Sequence, residues 1–316
     1  MNRARAIVFE APRELSVREL QLKPVDAGDV EVEVAYSGIS TGTERLLWDG
    51  SMPPFPELGY PLVPGYETVG TVRHADAGAS VQVGDWVFVP GSYSFAGVRN
   101  IFGGAGSRLV VPHERVMRVA PQLGPKAVLL ALAATCHHAL CSGGQGKPTR
   151  PPGLIVGHGV MGRLLARITV ALGLPAPAVW ETQPLRRGGA EGYAVMHPDE
   201  DARKDYASII DVSGDSAILN TLIGRLAPGG EVVLAGFYKQ DLGFAFAPAF
   251  MREAQIRIAA QWKKPDLQAV AELVAAGSLS LDGLITHTYA VDRAREAYDT
   301  AFDDPQCLKM MIDWRD

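Results

Sequence analysis

Apolar and polar positions change rhythm along the chain. From residue 6 to about 120 the apolar residues come in short runs or in alternation. Ala6-Ile7-Val8-Phe9 is a run, and Val30-Glu31-Val32-Glu33-Val34 alternates with period two, as a half-buried strand requires. Thr68-Val69-Gly70-Thr71-Val72, Trp86-Val87-Phe88-Val89 and Ser107 to Val111 continue the set, with a Gly84-Asp85 turn before the second of these. Several short strands at close spacing predict a small barrel or sandwich. From Lys126 to Leu140 the period lengthens: Val128, Leu129, Leu132, Cys136 and Leu140 recur at three- and four-residue steps, which predicts a helix. Ser142 to Gly153, rich in Gly and Pro, predicts a loop.

Beyond that loop, strands and helices alternate. Short apolar runs at 154–156, 178–180, 193–196, 208–212, 232–235 and 256–259 predict strands. Helical spacing between them covers Arg163 to Gly173 and Ser216 to Leu226, the second stopped by Pro228-Gly229-Gly230. This rhythm predicts a doubly wound parallel sheet. The tail adds a helix from Leu267 to Ala275, a strand near Thr288 to Val291, a helix from Arg293 to Phe302 and a strand from Leu308 to Ile312. The expected class is therefore α/β. Residues 1–127 and 262–316 form a β-rich domain, and a nucleotide-binding domain at 128–261 is inserted into it.

The candidate chemistry begins at Gly157-His158-Gly159-Val160-Met161-Gly162, between the strand at 154–156 and a helix. In that context G-x-G-x-x-G is a dinucleotide fingerprint. Gly157 permits the tight turn, and Gly159 with the following Val160 and Met161 lets backbone N–H groups reach a pyrophosphate. Gly162 lets helix and strand pack closely. Glu181 ends a strand 19 residues after Gly162, where a carboxylate accepts bonds from ribose hydroxyls and repels a 2′-phosphate. NAD is therefore expected rather than NADP, although Arg186 and Arg187 follow closely and could attract a phosphate. A solvated glutamate at a strand end is the plainer alternative. Ser213 and Gly236 follow strand ends on the edge where such a cofactor crosses.

Composition narrows the classes. Of 316 residues, 47% are hydrophobic and 21% charged, with net charge −5, so no general attraction to nucleic acid is expected. The three cysteines, Cys136, Cys141 and Cys307, make no disulfide framework and fit a reducing cytosol. The first residues lack the apolar core of a signal peptide, and no run reads as long enough to span a bilayer. A soluble cytoplasmic protein is expected. Cys136-His137-His138-x-x-Cys141 places His137 and Cys141 one helical turn apart, which suits chelation. Its apolar helix favours packed thiols and a packed ring instead, and no metal is expected.

Gly38-Ile39-Ser40-Thr41-Gly42-Thr43-Glu44, Gly65-Tyr66-Glu67-Thr68-Val69-Gly70-Thr71-Val72 and Gly84-Asp85-Trp86-Val87 carry a resemblance. They are similar to the G-I-C-x-T-D, G-H-E-x-x-G-x-V and G-D-x-V segments of the medium-chain dehydrogenase/reductase superfamily, along nearly the whole chain. The resemblance implies a GroES-like β-rich catalytic domain plus a Rossmann doubly wound parallel-sheet domain. It also implies that Thr135 lies beside the nicotinamide and that Lys309 is a basic residue on the cofactor pyrophosphate, although a plain surface lysine is as good a reading. The family's zinc ligands correspond here to Ser40 or Thr41, Tyr66 and Ala131. None is a thiol or imidazole, and the four-cysteine structural loop is missing too, so both zinc sites are expected to be absent.

The longer run from Ser37 to Glu67 resembles one branch of this superfamily, the zinc-free dehydrogenases of bacteriochlorophyll biosynthesis. These use NAD to oxidise the 3-(1-hydroxyethyl) group of a chlorophyllide- or bacteriochlorophyllide-type tetrapyrrole to 3-acetyl. The resemblance implies that substrate. It makes Tyr66, in place of a lost zinc ligand, the group facing the reacting centre, with Thr43 as a proton-relaying hydroxyl and Ser40, Thr41 and Glu44 as weaker candidates. A packed Tyr66 ring with no proton role stays open. The apolar loop from Trp48 to Phe55, with Met52, could wall a flat pocket together with Phe95, Phe102 and Trp262, or could merely pack. Arg45, Arg99, Lys239, Lys263 and Lys264 are candidate partners for a propionate. A zinc-free NAD(P)H quinone or enoyl reductase and a non-catalytic nucleotide- or pigment-binding protein are the alternatives. A homodimer and transient membrane contact stay open.

Overall fold

The computed structural model describes residues 2–141, 148 and 150–315. The chain divides into two compact units, Met1–Ala131 with Leu284–Asp316 and Leu132–Gly283. The expected loop at 142–153 lies largely outside the described residues.

In the first unit the strand Asp29–Ile39 is central. It pairs antiparallel with Thr68–Ala75, with Arg108–Pro112 and, from the other end of the chain, with Met310–Asp313. Val30, Val32 and Val34 are buried while Glu33 is exposed, so the period-two pattern marks a sheet with one wet face. From Ala35 onward every residue of that strand is buried and the alternation stops, because both faces are covered. The register Met310↔Ile39 and Met311↔Gly38 brings the C-terminal strand beside Ser40. The core gathers Phe9, Trp48 and Tyr298, with ring centroids 5.4 Å apart for Phe9–Trp48 and 5.1 Å for Phe9–Tyr298.

Two elements of this unit differ from expectation. Thr43–Asp49 is a helix that ends at Gly50 in the left-handed region, so Trp48 belongs to a helix and not to a loop. Glu14–Gln21 forms a hairpin strand with Arg3–Ala11. Only Leu20 of its eight residues is buried, and the alternation at Leu15 and Val17 is too short to stand out among charged neighbours.

Among the described residues the second unit holds six parallel strands in the order 3-2-1-4-5-6, counted along the chain. The order reverses between Leu154–Val156 and Tyr206–Asp211, whose carboxyl ends therefore flank the ligand crevice of such a sheet. The helix Val160–Ala171 follows the first strand, and its buried stripe includes Leu164, Leu165 and Ile168. An unforeseen short helix, Phe246–Met251, leaves Phe246, Phe250 and Met251 exposed.

The domain boundary also moves. The helix Lys264–Ala275 was expected to rejoin the β-rich domain but belongs to the second unit. Its anchor is Asp266, fully buried, whose two oxygens meet Nδ1 of His137 at 2.8 Å and Nδ1 of His138 at 2.9 Å. Against the expectation that no run could span a bilayer, the stretch Pro121–Cys141, which contains the helix predicted from Lys126 to Leu140, is by length and composition long and apolar enough to cross a membrane. It is kinked at Gly124 and 67% buried, as a core helix is.

Candidate active site

The first unit assembles three of the expected hydroxyls. Tyr66 Oη donates to Ser40 Oγ at 2.5 Å and lies 3.4 Å from Thr43 Oγ1. Ser40 stands just past the central strand and Thr43 opens the helix Thr43–Asp49, while Tyr66 precedes the strand Thr68–Ala75 paired with that strand. Burial, reinforced by the neighbouring Glu67 charge, pushes the Tyr66 hydroxyl well above its usual range, so it is a neutral donor at physiological pH. The ring of Phe102 meets it edge-on at 5.0 Å. Phe102 is 39% exposed and has φ of 70°, a strained conformation for a residue with a Cβ.

Behind the hydroxyls lie two buried carboxylates. Glu44 takes the Ser40 amide on Oε1 at 3.1 Å and the Tyr298 hydroxyl on Oε2 at 2.7 Å. Burial lifts its pKa to about 7 against those two bonds. Glu67 forms an ion pair with Lys309, and both side chains are enclosed. Burial raises the Glu67 pKa while Lys309 opposes the rise. A Cβ on Gly38 would stand 2.2 Å from Glu67 Oε2 and 2.9 Å from Lys309 Cε, so the pair needs a glycine there. Lys309, expected on a pyrophosphate, is thus turned inward with its ammonium on Glu67 and is 1% exposed. Of these partners Glu44 is a candidate for the reaction site and Lys309 one for the cofactor in the sequence. Tyr298 comes from the far end of the chain, and no local pattern announces it.

In the second unit the fingerprint residues make a cradle of backbone. Gly159 caps the helix Val160–Ala171 with no side-chain bond, which leaves first-turn N–H groups open to an anion. A Cβ on Gly159 would meet no protein atom within 4 Å and would project into the space over that helix end. A Cβ on Gly162 would stand 1.8 Å from Gly157 O, so helix and turn pack as closely as the fingerprint requires. Glu181 is buried, with Oε2 accepting the His158 amide at 3.0 Å and Oε1 the Gln183 amide at 2.8 Å. Ser213 and Gly236 close the neighbouring strand ends: the Ser213 amide donates to Asp211 Oδ1 and the Gly236 amide to Asp211 O. Tyr238 donates to the same buried aspartate, a pair that no motif in the sequence marks. Thr135 is half-buried on the helix Leu130–Cys141, beside Cys136, whose thiol points at Met161 O at 3.4 Å. The free N–H groups, the open face of Gly159 and the fixed carboxylate fit a dinucleotide.

The expected pocket wall separates into two kinds of residue. Phe55 is exposed and Met52 half-buried on the core. Trp48 and Phe95 are core residues, 7% and 4% exposed, and do not present a surface. Trp48 is held by Phe9 and Tyr298, and Phe95 lies where any side chain on Gly106 would strike it. The Cys136-His137-His138-x-x-Cys141 motif serves Asp266, with Cys141 Sγ 3.6 Å from His137 Nε2. Among the described residues no group of three or more His, Cys, Asp or Glu side chains is placed to hold a metal ion.

Residues 26–121 match the alcohol dehydrogenase GroES-like domain. The chain is 52% identical to the 2-desacetyl-2-hydroxyethyl bacteriochlorophyllide A dehydrogenase of Rhodobacter capsulatus, covering 98% of both chains. It is also 52% identical to the protein of the same name from Cereibacter sphaeroides, covering 99% of both. Among solved structures, an alcohol dehydrogenase of Escherichia coli CFT073 in complex with NADH has the same fold, with a TM-score of 0.83 at 20% identity over 99% of each chain. The chain belongs to the medium-chain dehydrogenase/reductase family, in the branch of the bacteriochlorophyllide A dehydrogenases.

Proposed function

We propose that the chain oxidises the 3-(1-hydroxyethyl) group of a chlorophyllide- or bacteriochlorophyllide-type tetrapyrrole to 3-acetyl, in the cytoplasm, with NAD and without zinc. The hydroxyethyl arm is the one numbered 2 in the relatives' names. The observation that carries this reading is the pairing of full-length 52% identity to those relatives with the Tyr66–Ser40–Thr43 hydroxyl cluster where zinc-dependent members keep metal ligands.

NAD, when bound, accepts the hydride. Gly157, Gly159 and the N–H groups at Val160 and Met161 would hold its pyrophosphate, and Glu181 its ribose hydroxyls. Tyr66 and Ser40 receive the carbinol hydroxyl. Tyr66 donates to Ser40 Oγ with Thr43 within reach, so the hydroxyls form a relay: each oxygen takes a proton from one side as it gives up its own on the other, and the net carbinol proton leaves to solvent water as the hydride goes to NAD. A zinc ion would otherwise stabilise the alkoxide. The donor set at Ser40, Tyr66 and Ala131 is unsuited to zinc, and the conjugated macrocycle can share the positive charge that develops as hydride leaves. Glu181, fixed by two amides, supports NAD over NADP.

The test is to mix the protein, NAD and a 3-hydroxyethyl bacteriochlorin and to follow the absorption spectrum. A red shift of the long-wavelength band, with NADH appearing in step, is the expected result. A silent spectrum, or turnover only as reduction of a C=C bond with NADPH, overturns the proposal. Tyr66→Phe should lower kcat roughly a hundredfold or more, and wild-type turnover across the pH range would remove Tyr66 from the mechanism.

A further inference from the structure

The loop after Glu181 is tied to the fingerprint turn by groups that the nucleotide pattern does not include. Arg163, on the first turns of the fingerprint helix, is only 6% exposed. Its guanidinium is spread over four carbonyl oxygens: His158 O at 3.2 Å, Arg186 O at 3.0 Å, Gly188 O at 2.8 Å and Gly189 O at 3.2 Å. One acceptor belongs to the fingerprint and three to the loop, so the planar fork bridges the two segments. The His158 ring makes the same connection. Nδ1 lies 2.6 Å from Arg186 O and Nε2 2.8 Å from the Tyr193 hydroxyl. A carbonyl can only accept, so Nδ1 carries the proton and Nε2 accepts from Tyr193. Gly189 has φ of 78°, and a Cβ there would stand 2.4 Å from Arg163 Nη1. The loop backbone is shaped to the guanidinium.

Glu181 is the carboxylate held in this frame, because its two amide donors come from the same pair of segments, His158 and Gln183. Arg187 is held as well, with Nε on Glu181 O at 3.0 Å. We infer that Arg163 is a specificity-determining positioning residue: by clasping residues 186–189 to the fingerprint turn it keeps Glu181 on the ribose and Arg187 folded back, and so enforces NAD over NADP. This rests on the NAD reading above. Without the clasp the loop amides and Glu181 lose their fixed places, and the loop arginines become free to meet a 2′-phosphate.

The test measures equilibrium binding of NAD and of NADP by calorimetry, without tetrapyrrole, in the wild type, Arg163→Met and Gly189→Ala. Each variant is checked for folding by its melting curve. Arg163→Met should lower the ratio of NAD to NADP affinity roughly tenfold to a hundredfold, the scale of lost bonds to a charged group. Gly189→Ala, which leaves Arg163 in place but pushes on it, should move the ratio in the same direction. Hydrogen exchange at residues 183–189 of the cofactor-free protein should quicken in both. A folded Arg163→Met protein with the wild-type ratio overturns the clasp and leaves the NAD reading standing. A wild type that binds NADP more tightly overturns the NAD reading itself, and the clasp with it.

Discussion

The two units solve opposite problems with opposite materials. In the second, the candidate nucleotide site is made of backbone: free N–H groups at a helix start, glycines that leave room, and one carboxylate pinned by two amides. In the first, the candidate reaction site is made of side chains, and its polar groups are enclosed in pairs: Tyr66 on Ser40, Glu44 on Tyr298, Glu67 on Lys309. A backbone site tolerates no added atoms. A side-chain site tolerates no lost partner, because a buried charge left alone costs far more than the pair contributes. The first kind is disturbed by giving, the second by taking away.

The largest effect should come from taking away. Lys309→Met strands the Glu67 carboxylate and should cost about 3–5 kcal/mol in urea unfolding, with much of it restored in Lys309→Met/Glu67→Gln. Equal losses in the single and double variants would show that the pair is not what holds this corner. Glu44 should give a pH signature. Its pKa in the folded protein is lifted from 4.5 to about 7, so between those values the folded state keeps a proton that the unfolded chain releases. Stability from this group is present below about pH 4.5 and lost as pH rises through 7, by about 3 kcal/mol. Glu44→Gln should flatten the melting temperature over that window, and an unchanged pH slope would reassign it to another group.

Adding to the backbone site comes next. Gly162→Ala puts a Cβ against Gly157 O and should cost about 1–3 kcal/mol in stability while abolishing measurable nicotinamide binding in calorimetry. Wild-type affinity would mean that helix and turn can separate without harm. The smallest effect belongs to the exposed Phe55. Phe55→Ala should change stability by less than about 0.5 kcal/mol, and a raised KM for the tetrapyrrole alone would place this ring on the substrate. Trp48→Ala, in contrast, opens the core.

Legibility follows the same division. The fingerprint, Glu181 and the strand ends at Ser213 and Gly236 were readable because each depends on neighbours in sequence: strand, turn, helix, strand. Tyr66, Ser40 and Thr43 could be named from the motifs around them. The pairing behind them could not be read, since Glu44 and Tyr298 lie 254 residues apart and come together only in a fold that returns the C-terminal strand to the central strand Asp29–Ile39. Lys309, a pyrophosphate or surface lysine by family pattern, is buried on Glu67 here, a pairing that the motif around it does not signal. Trp48 and Phe95 are core residues that the sequence alone presents as a pocket wall, because an apolar residue near a motif looks alike whether it faces a ligand or a core. Phe102 could be named as an aromatic near the site, but its left-handed backbone and its edge-on contact with Tyr66 have no sequence pattern to signal them.

The α/β class, the family, the glycine-rich turn between strand and helix and the candidate hydroxyls were thus legible in the chain alone. These rest on local spacing, which survives in a linear string. The tertiary structure alone decided which charges are buried, what neutralises each, which aromatics are core, and that Arg163 reaches four carbonyls to hold the loop after Glu181. Those properties depend on distances between residues remote in sequence and on exclusion of water, and both come into being only when the chain folds.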